Sequence, residues 1–392
     1  MITALEFYRS LPRYVASRTL GDMFPGLVTG PVTPLRLVTK DEPRTPSDGW
    51  VRVRPLLSGI CGSDLTTLSG KSSFYFSPLV SMPFVPGHEV VGELLDDANG
   101  YPQGTRVVID PVLGCAARGL EECAACASGG RNRCDRVTVG HVSPGLQTGY
   151  CADTGGGWSG QFIAHVSQLR AVPDSLPNDR AVLIEPLACA VHAALRTAPR
   201  EGDHVLVVGA GAVGLFTVLA LRALTSAGPI TVVAKHSAQR DLARRLGATD
   251  VLAPGEAVGG VRRATRALRL DPERGHPFLL GGVDRAVDCV GSRDSLDTAL
   301  RTTHAGGRVI LAGLPAAGAD LTPAWYRELE VVGAYATSQD DFEHAVTLAR
   351  DVVIEDGVVV TYPLHGWREA LDHAQTAGRL GTLKVAFDVR AR

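Results

Sequence analysis

The stretch His204 to Gly214, HVLVVGAGAVG, constrains the fold of this chain more than any other. Gly209, Gly211 and Gly214 form GxGxxG directly after a run of strand residues and at the start of an apolar helical segment, AVGLFTVLALRAL. The spacing has a mechanical cause. The first glycine makes the tight turn, the second lets the backbone approach a pyrophosphate, and the third lets helix and strand pack closely. The helix N-terminus, with Ala212 and Val213 in its first turn, then meets phosphate with free N–H groups and a partial positive charge. In this strand-turn-helix context the motif points to dinucleotide binding.

The residues that follow continue the pattern: strand PITVVAKH, helix SAQRDLARRLGA, short strand DVLA, strand DRAVDCVGS, helix SLDTALRTT and strand GGRVILAGL. Strands alternating with helices predict a parallel, doubly wound α/β sheet of the Rossmann type. The first third reads differently. WVRVRPLLSGI, PGHEVVGELLDD and GTRVVIDPVLG are short β-branched runs punctuated by Gly and Pro, which predict many short strands in a partly closed sheet or barrel. After Gly333 the pattern is mixed, with an amphipathic helix at DDFEHAVTLARDVV and a last strand, GTLKVAFDVR. This tail reads as returning to the first domain. A length of 392 residues suits two domains, and 45% hydrophobic residues can bury both cores.

Charge and hydropathy exclude other classes. A formal net charge of -2 supplies no electrostatic reason to expect nucleic acid, whose binders carry a basic face. Arg262, Arg263, Arg266 and Arg269 in VRRATRALRL recur at helical spacing and read as a solvated helix face. The N-terminus, MITALEFYRSLPRYVASRTL, carries Glu6 and no apolar run of signal-peptide length. Ala220 to Ile230, the longest apolar candidate for a membrane span, is broken by Arg222, Gly228 and Pro229. No membrane partner and a cytoplasmic location are therefore expected.

The second nucleotide-domain strand departs from the simplest NAD pattern. An NAD site places Asp or Glu about 20 residues beyond the glycines to accept from the ribose hydroxyls. Here Ala234 stands in that place, followed by Lys235, His236, Ser237 and Arg240. With no carboxylate to repel a 2′-phosphate and two fixed cations nearby, NADP(H) is favoured over NAD(H).

Upstream lie GICGSDL, with Cys61, Ser63 and Asp64, and PGHEVVGEL, with His88 and Glu89. Together they supply sulfur, imidazole and carboxylate, the mixed set that catalytic zinc uses while keeping one position open. LIEPLACAVHAAL places Glu185 just before the nucleotide domain begins. A further four of the eight cysteines fall within twenty residues: Cys115, Cys123, Cys126 and Cys134 follow Cx7Cx2Cx7C. In a reducing compartment such a set wraps one tetrahedral zinc at about 2.3 Å per sulfur, with free or redox-active thiols as the alternative.

GICGSD, PGHEVVGEL, the thiol cluster, IEPLACAVHA, VVGAGAVG and VDCVGS occur here in one order. In that combination the chain resembles the zinc-dependent medium-chain dehydrogenase/reductase family, closest in texture to its polyol and threonine dehydrogenase branch. The likeness runs from about Leu35 to the C-terminus. It implies a GroES-like catalytic domain over 1–189 and 336–392, with a structural-zinc lobe at about 113–136, and a Rossmann domain over 190–335. It also implies an active-site cleft at their junction.

Carried over by position, Cys61 and His88 would ligate the catalytic zinc, with Glu89 a ligand or the partner of one. Glu185 stands where the polyol branch has a glutamate, to bind the metal or hold its water. Zinc at such a site acidifies an oxygen in the open position, and Ser63 is placed to accept the alcohol proton, since its hydroxyl both donates and accepts. Asp64 would orient the site, and Lys384 of the last strand is counted with the cofactor contacts. Cys189 reads as a small packing residue.

Two departures from the family pattern stand out. CGSDLTT has Thr66 where the family's proton relay often ends in histidine. The family's structural-zinc lobe reads Cx2Cx2Cx7C, so its first ligand would fall at Leu120, and Cys115, displaced by five residues, is the nearby replacement. The aromatic stretch with Phe74, Tyr75, Phe76, Met82 and Phe84 reads either as a wall of the substrate cleft or as ordinary core, and Trp158 divides the same way.

The expected activity is hydride transfer between a nicotinamide cofactor and a small alcohol or ketone, in a homodimer or homotetramer. Two alternatives stay open: reduction of a C=C or C=N bond on the same fold, and a zinc-bearing binding or scaffold protein.

Overall fold

The computed structural model describes residues 1–21, 26–30, 32–315, 318–351 and 357–391. Its contacts divide the chain into two units, one of Met1–Glu185, Thr337–Ala377 and Lys384–Arg392, the other of Pro186–Ala336 and Gly378–Leu383. No helix among the described residues is long and apolar enough to cross a membrane.

The first unit is built on a seven-stranded sheet. Its spatial order is Val359–Pro363, Lys384–Asp388, Trp50–Gly59, Val90–Leu94, Arg106–Ile109 and Leu169–Ala171. Phe162–His165 also pairs with the first half of Trp50–Gly59. That central strand therefore changes partner along its length, since its last residues, Leu57 to Gly59, pair with Asp388 to Ala386. The switch coincides with a register shift between Pro55 and Leu57, where proline has no N–H to give to the ladder.

The consequence is a convergence of three chain ends. Gly59 donates its N–H to the Glu89 carbonyl, and Ile60 donates to the Val385 carbonyl, each at 2.8 Å. Cys61 follows these bonds directly, and His88, Glu89 and Lys384 flank them. Gly59 is required there, because a Cβ would run into the Glu89 carboxylate. Trp158 is fully buried, its Nε1 donates to the Gly59 carbonyl at 3.2 Å, and its ring meets Phe387 edge-on. It is core. The aromatic stretch before His88 divides: Phe84 is buried against Phe7, whereas Phe74, Tyr75 and Met82 are exposed.

The second unit has the alternation read from the sequence. Six parallel strands lie in the order Asp250–Leu252, Ile230–Val233, Val205–Val208, Val283–Asp288, Thr303–Leu311 and Glu330–Gly333. The order reverses beside the strand that carries the glycine motif, the doubly wound arrangement that binds dinucleotides at the reversal. The expected helix at DDFEHAVTLARDVV is present as Gln339–Asp351, and its last two expected residues lie outside the described ones.

The arginine stripe needs correction. The helix Ala257–Thr265 ends before it is complete, Arg266 adopts a left-handed backbone with φ of 57°, and Arg269 lies in the strand Leu268–Leu270. Arg269 pairs with Asp271 at 2.7 Å and its strand pairs with Phe278–Leu280. The helical spacing of these arginines runs on past the end of the helix.

Candidate functional site

Cys61 precedes the short helix Gly62–Leu68, and Asp64 closes its first turn by accepting the Cys61 N–H at 2.9 Å. Asp64 is 2% exposed, so this bond fixes both the helix entry and the Cys61 backbone. His88 and Glu89 enter from the neighbouring strand end. Ligand atoms of Cys61, His88 and Glu89 all lie within 4.8 Å of one another.

The electrostatics of this trio favour a cation. Burial penalises an imidazolium at His88, but the Asp64 carboxylate, 3.6 Å from Nδ1, and then Cys61 and Glu185 outweigh it and hold His88 well above its ordinary pKa. Burial pushes Asp64 up against the pull of His88. Glu89 is 1% exposed; its Oε1 accepts from Lys384 Nζ at 2.6 Å, while Oε2 is buried without a hydrogen-bond partner among the described residues. An orphaned carboxylate oxygen beside a thiol and an imidazole fits a divalent metal with mixed N, O and S ligands.

The remaining expected residues fall in different places. Glu185, 6% exposed, lies outside the tight trio but acts electrostatically on His88 and Lys384. Lys384 is 6% exposed and carries its charge to Glu89. Burial would lower its pKa, yet Glu89, Cys61 and Glu185 together hold it above the ordinary value. Ser63 is half-buried on the Gly62–Leu68 helix. Thr66, in the place of the relay histidine, turns its hydroxyl back to the Gly62 carbonyl at 2.9 Å.

Tyr150 was not anticipated. Its hydroxyl donates to Asp64 Oδ1 at 3.2 Å and lies 3.3 Å from Thr67 Oγ1. Its ring meets His88 at 5.9 Å and Phe84 at 5.2 Å between centroids. Nothing in TGYCADTGGGW marks it, because it lies 86 positions from the Asp64 it bonds.

The four clustered thiols form a separate group. Cys115, Cys123, Cys126 and Cys134 bring their sulfurs within 4.8 Å of one another, and all are free thiols. Cys115 and Cys134 lie 3.6 Å apart, Cys123 and Cys134 4.0 Å. A tetrahedron with about 2.3 Å bonds has edges of about 3.8 Å, so the spacing fits one zinc. The N–H groups of Cys123 and Arg136 donate to the sulfurs of Cys115 and Cys134, each at 3.4 Å. Backbone N–H groups of Asp135 and Cys126 draw the Cys123 thiol down, while burial pushes the thiols of Cys126 and Cys134 up.

The displaced ligand spacing is absorbed by Arg118. A turn over Ala116–Arg118 closes with Gly119 in the left-handed region at φ of 64°. The Arg118 side chain, fully buried, donates to the carbonyls of Leu113, Val139, Val142 and Gly145 at 2.6–3.2 Å. One guanidinium thus ties the longer ARGLEE loop to the segment beyond Cys134.

In the nucleotide unit the three glycines do separate jobs. Gly209 has φ of 101°, Gly211 has nothing within 4 Å of a built Cβ, and a Cβ at Gly214 would strike the Gly209 carbonyl. The open face at Gly211 is the cradle a pyrophosphate needs. Ala212 and Val213 begin the helix Ala212–Leu224. Ala234 is buried, Lys235 and Ser237 are exposed, and His236 caps the helix Ser237–Arg245 that carries Arg240.

Comparison with known proteins places this arrangement. Residues 47–174 match the model of the alcohol dehydrogenase GroES-like domain, and residues 212–351 that of the zinc-binding dehydrogenase. The chain is 31% identical to L-idonate 5-dehydrogenase of Vitis vinifera over 292 residues, 73% of each protein. It is 30% identical to sorbitol dehydrogenase of Bacillus subtilis over 275 residues, 68% of each. The crystal structure of 2R,3R-butanediol dehydrogenase from Bacillus subtilis shares the fold, with a TM-score of 0.73, 21% identity and 99% of each chain covered.

Proposed function

We propose a reaction for this chain from the premise that it belongs to the zinc-dependent medium-chain dehydrogenase/reductase family, in the polyol dehydrogenase branch. It is a zinc-binding, NAD(P)-dependent oxidoreductase of alcohol or ketone substrates. The finer reading is oxidation of a secondary alcohol or polyol at the Cys61, His88 and Glu89 trio. The observation that carries it is the gathering of the Cys61 thiol, the His88 imidazole and the Glu89 carboxylate within 4.8 Å, with Glu89 Oε2 lacking a hydrogen-bond partner among the described residues.

Cys61 and His88 hold the metal, with Glu89 or Glu185 completing the set, and zinc supplies Lewis-acid polarisation of the substrate oxygen when bound. Asp64 holds the Cys61 backbone, and its Oδ1 lies 3.6 Å from His88 Nδ1, which is buried without a hydrogen-bond partner among the described residues. Lys384 anchors one oxygen of Glu89 and leaves the other directed elsewhere. Ser63 Oγ accepts the alcohol proton, and Tyr150 Oη holds Asp64 in place. Cys115, Cys123, Cys126 and Cys134 would hold a structural zinc through four sulfurs.

NADP(H) is the preferred cofactor, since Lys235 and Arg240 flank a helix start with no acid at Ala234. The Lys235→Ala, Arg240→Ala variant should lose about tenfold or more in kcat/KM with NADP, from charge-assisted bonds of about 1.5–3 kcal/mol, and little with NAD. Equal loss with both cofactors would contradict the preference. Domain limits near 1–189, 190–335 and 336–392 define the catalytic and nucleotide halves. A homodimer or homotetramer forms through the edge strand Glu330–Gly333 beside the exposed Trp325 and Tyr326. Nucleic acid is no partner, and the cytoplasm is the location.

A further inference from the structure

Residues 9–33 loop out of a hairpin that is already closed. Phe7 pairs with Leu35, and the Tyr8 N–H donates to the Pro34 carbonyl at 3.0 Å, so joining the strands Ile2–Phe7 and Leu35–Lys40 needs no more than a short turn. The excursion also precedes the span 47–174 that matches the GroES-like domain. Neither the strand pairing nor the family likeness accounts for it.

Its helix Leu11–Leu20 sets Tyr14 and Arg18 one turn apart on one face. Both reach the segment that follows the helix Gly62–Leu68. Arg18 Nη1 donates to the Gly70 carbonyl at 2.8 Å, its guanidinium lies 5.5 Å from the Phe74 centroid, and the Tyr14 ring lies 5.7 Å from that same centroid. Gly70 has φ of 67°, and a Cβ there would meet the Tyr14 carbonyl at 3.1 Å, so a side chain at this position would push the helix away. At the far end of the excursion, buried Thr29 donates through Oγ1 to Asp372 Oδ1 at 2.5 Å.

The segment held in this way leads to the catalytic residues. Ser72 Oγ lies 3.1 Å from Thr67 Oγ1, Thr67 Oγ1 lies 3.3 Å from Tyr150 Oη, and Tyr150 donates to Asp64, which holds the Cys61 backbone. The aromatic residues that follow Ser72 are not core, since Phe74 is 66% and Tyr75 77% exposed. A ring fastened on one side by Tyr14 and Arg18 and open on the other is an apolar wall with a fixed position.

We propose that Tyr14 and Arg18 are positioning residues for the substrate: they hold Phe74 and Tyr75 as the wall on which the carbon substituent of a secondary alcohol packs. The inference rests on the alcohol oxidation proposed above. Such a wall favours an apolar or aromatic substituent. It acts on the carbon skeleton and not on the reacting oxygen, so loosening it raises KM and leaves kcat in place.

The test uses the zinc-loaded full chain with NADP and two glycols that differ in one substituent, a methyl group in propylene glycol and a phenyl ring in styrene glycol. Arg18→Met should raise KM for styrene glycol about tenfold, the scale of one charge-assisted hydrogen bond, and change kcat for either glycol, or KM for propylene glycol, at most about twofold. Arg18→Lys keeps a cation over Phe74 and should recover most of the loss. Arg18→Met placed on Phe74→Ala should add nothing further, since that contact is already gone. Hydrogen exchange without turnover supplies the second readout: residues 70–79 should exchange about tenfold faster in Arg18→Met at unchanged zinc content. Styrene glycol added with NADPH, a pair that cannot react, should protect those residues in the natural chain and not in Arg18→Met. An equal rise in KM for both glycols, a fall in kcat at constant KM, or unchanged exchange over 70–79 would overturn the proposal. If the natural chain oxidises neither glycol yet shows the protection, the assigned reaction fails and the wall stands; absence of protection overturns the wall whatever the turnover.

Discussion

Two cysteine-bearing regions of the same unit solve opposite problems. The lobe of Cys115, Cys123, Cys126 and Cys134 offers four sulfurs at nearly equal spacing and is braced by backbone N–H groups and the buried Arg118 guanidinium. The Cys61 trio offers one sulfur, one imidazole and one carboxylate among buried charges that stay imperfectly paired. Four identical ligands close a metal off, while a mixed set with unsatisfied oxygen keeps a place for something else. The difference separates holding from reacting, and it predicts that damage to the two regions will read out differently.

The largest effect is expected at the mixed site. Cys61→Ser should lower kcat about a thousandfold, since Lewis-acid stabilisation is worth several kcal/mol at 1.36 kcal/mol per tenfold, with the melting temperature nearly unchanged. Steady-state rates and a thermal melt check both halves of that statement. Next comes the buried ion pair. Lys384→Met strands the Glu89 carboxylate and should cost about 3–5 kcal/mol of stability in denaturant titration. Adding Glu89→Gln should recover much of that loss; if the single variant costs nothing, the pair does not hold the site.

A smaller effect is expected at Tyr150. Tyr150→Phe removes the hydrogen bond to Asp64 and should cost about 0.5–1.5 kcal/mol, read as a few-fold fall in kcat with KM little changed. A rise in KM alone would make Tyr150 a wall of the substrate site and not a support for Asp64.

How much of this the sequence disclosed follows from how local each signal is. Gly209, Gly211 and Gly214 act within one turn, and the alternation around them is local too, so the nucleotide sheet was readable. The four thiols were readable because twenty residues contain them. Cys61 and His88 emerged from their motifs taken together and from the family likeness. Lys384, by contrast, meets Glu89 across 295 positions through sheet register, and Tyr150 meets Asp64 through a loop; neither carries a local mark. The sequence places Lys384 with the cofactor contacts, and in the structure it pairs with Glu89, a carboxylate of the first unit. The arginine stripe shows the converse failure, since a period of 3.6 continued on paper past Thr265, where the helix ends. Arg118 was hidden inside the ARGLEE insertion, which looked like mere extra length.

The most direct test is zinc content set against turnover in three proteins: the natural chain, Cys61→Ser and Cys126→Ser. Two zincs per chain are expected in the first and about one in each variant, with turnover lost in Cys61→Ser. Cys126→Ser should keep the turnover of its folded fraction while its melting temperature falls by about 5–10 °C, at about 2–4 °C per kcal/mol for domains of this size. One zinc per chain in the natural protein, or full turnover in Cys61→Ser, would contradict the division of labour between the two regions.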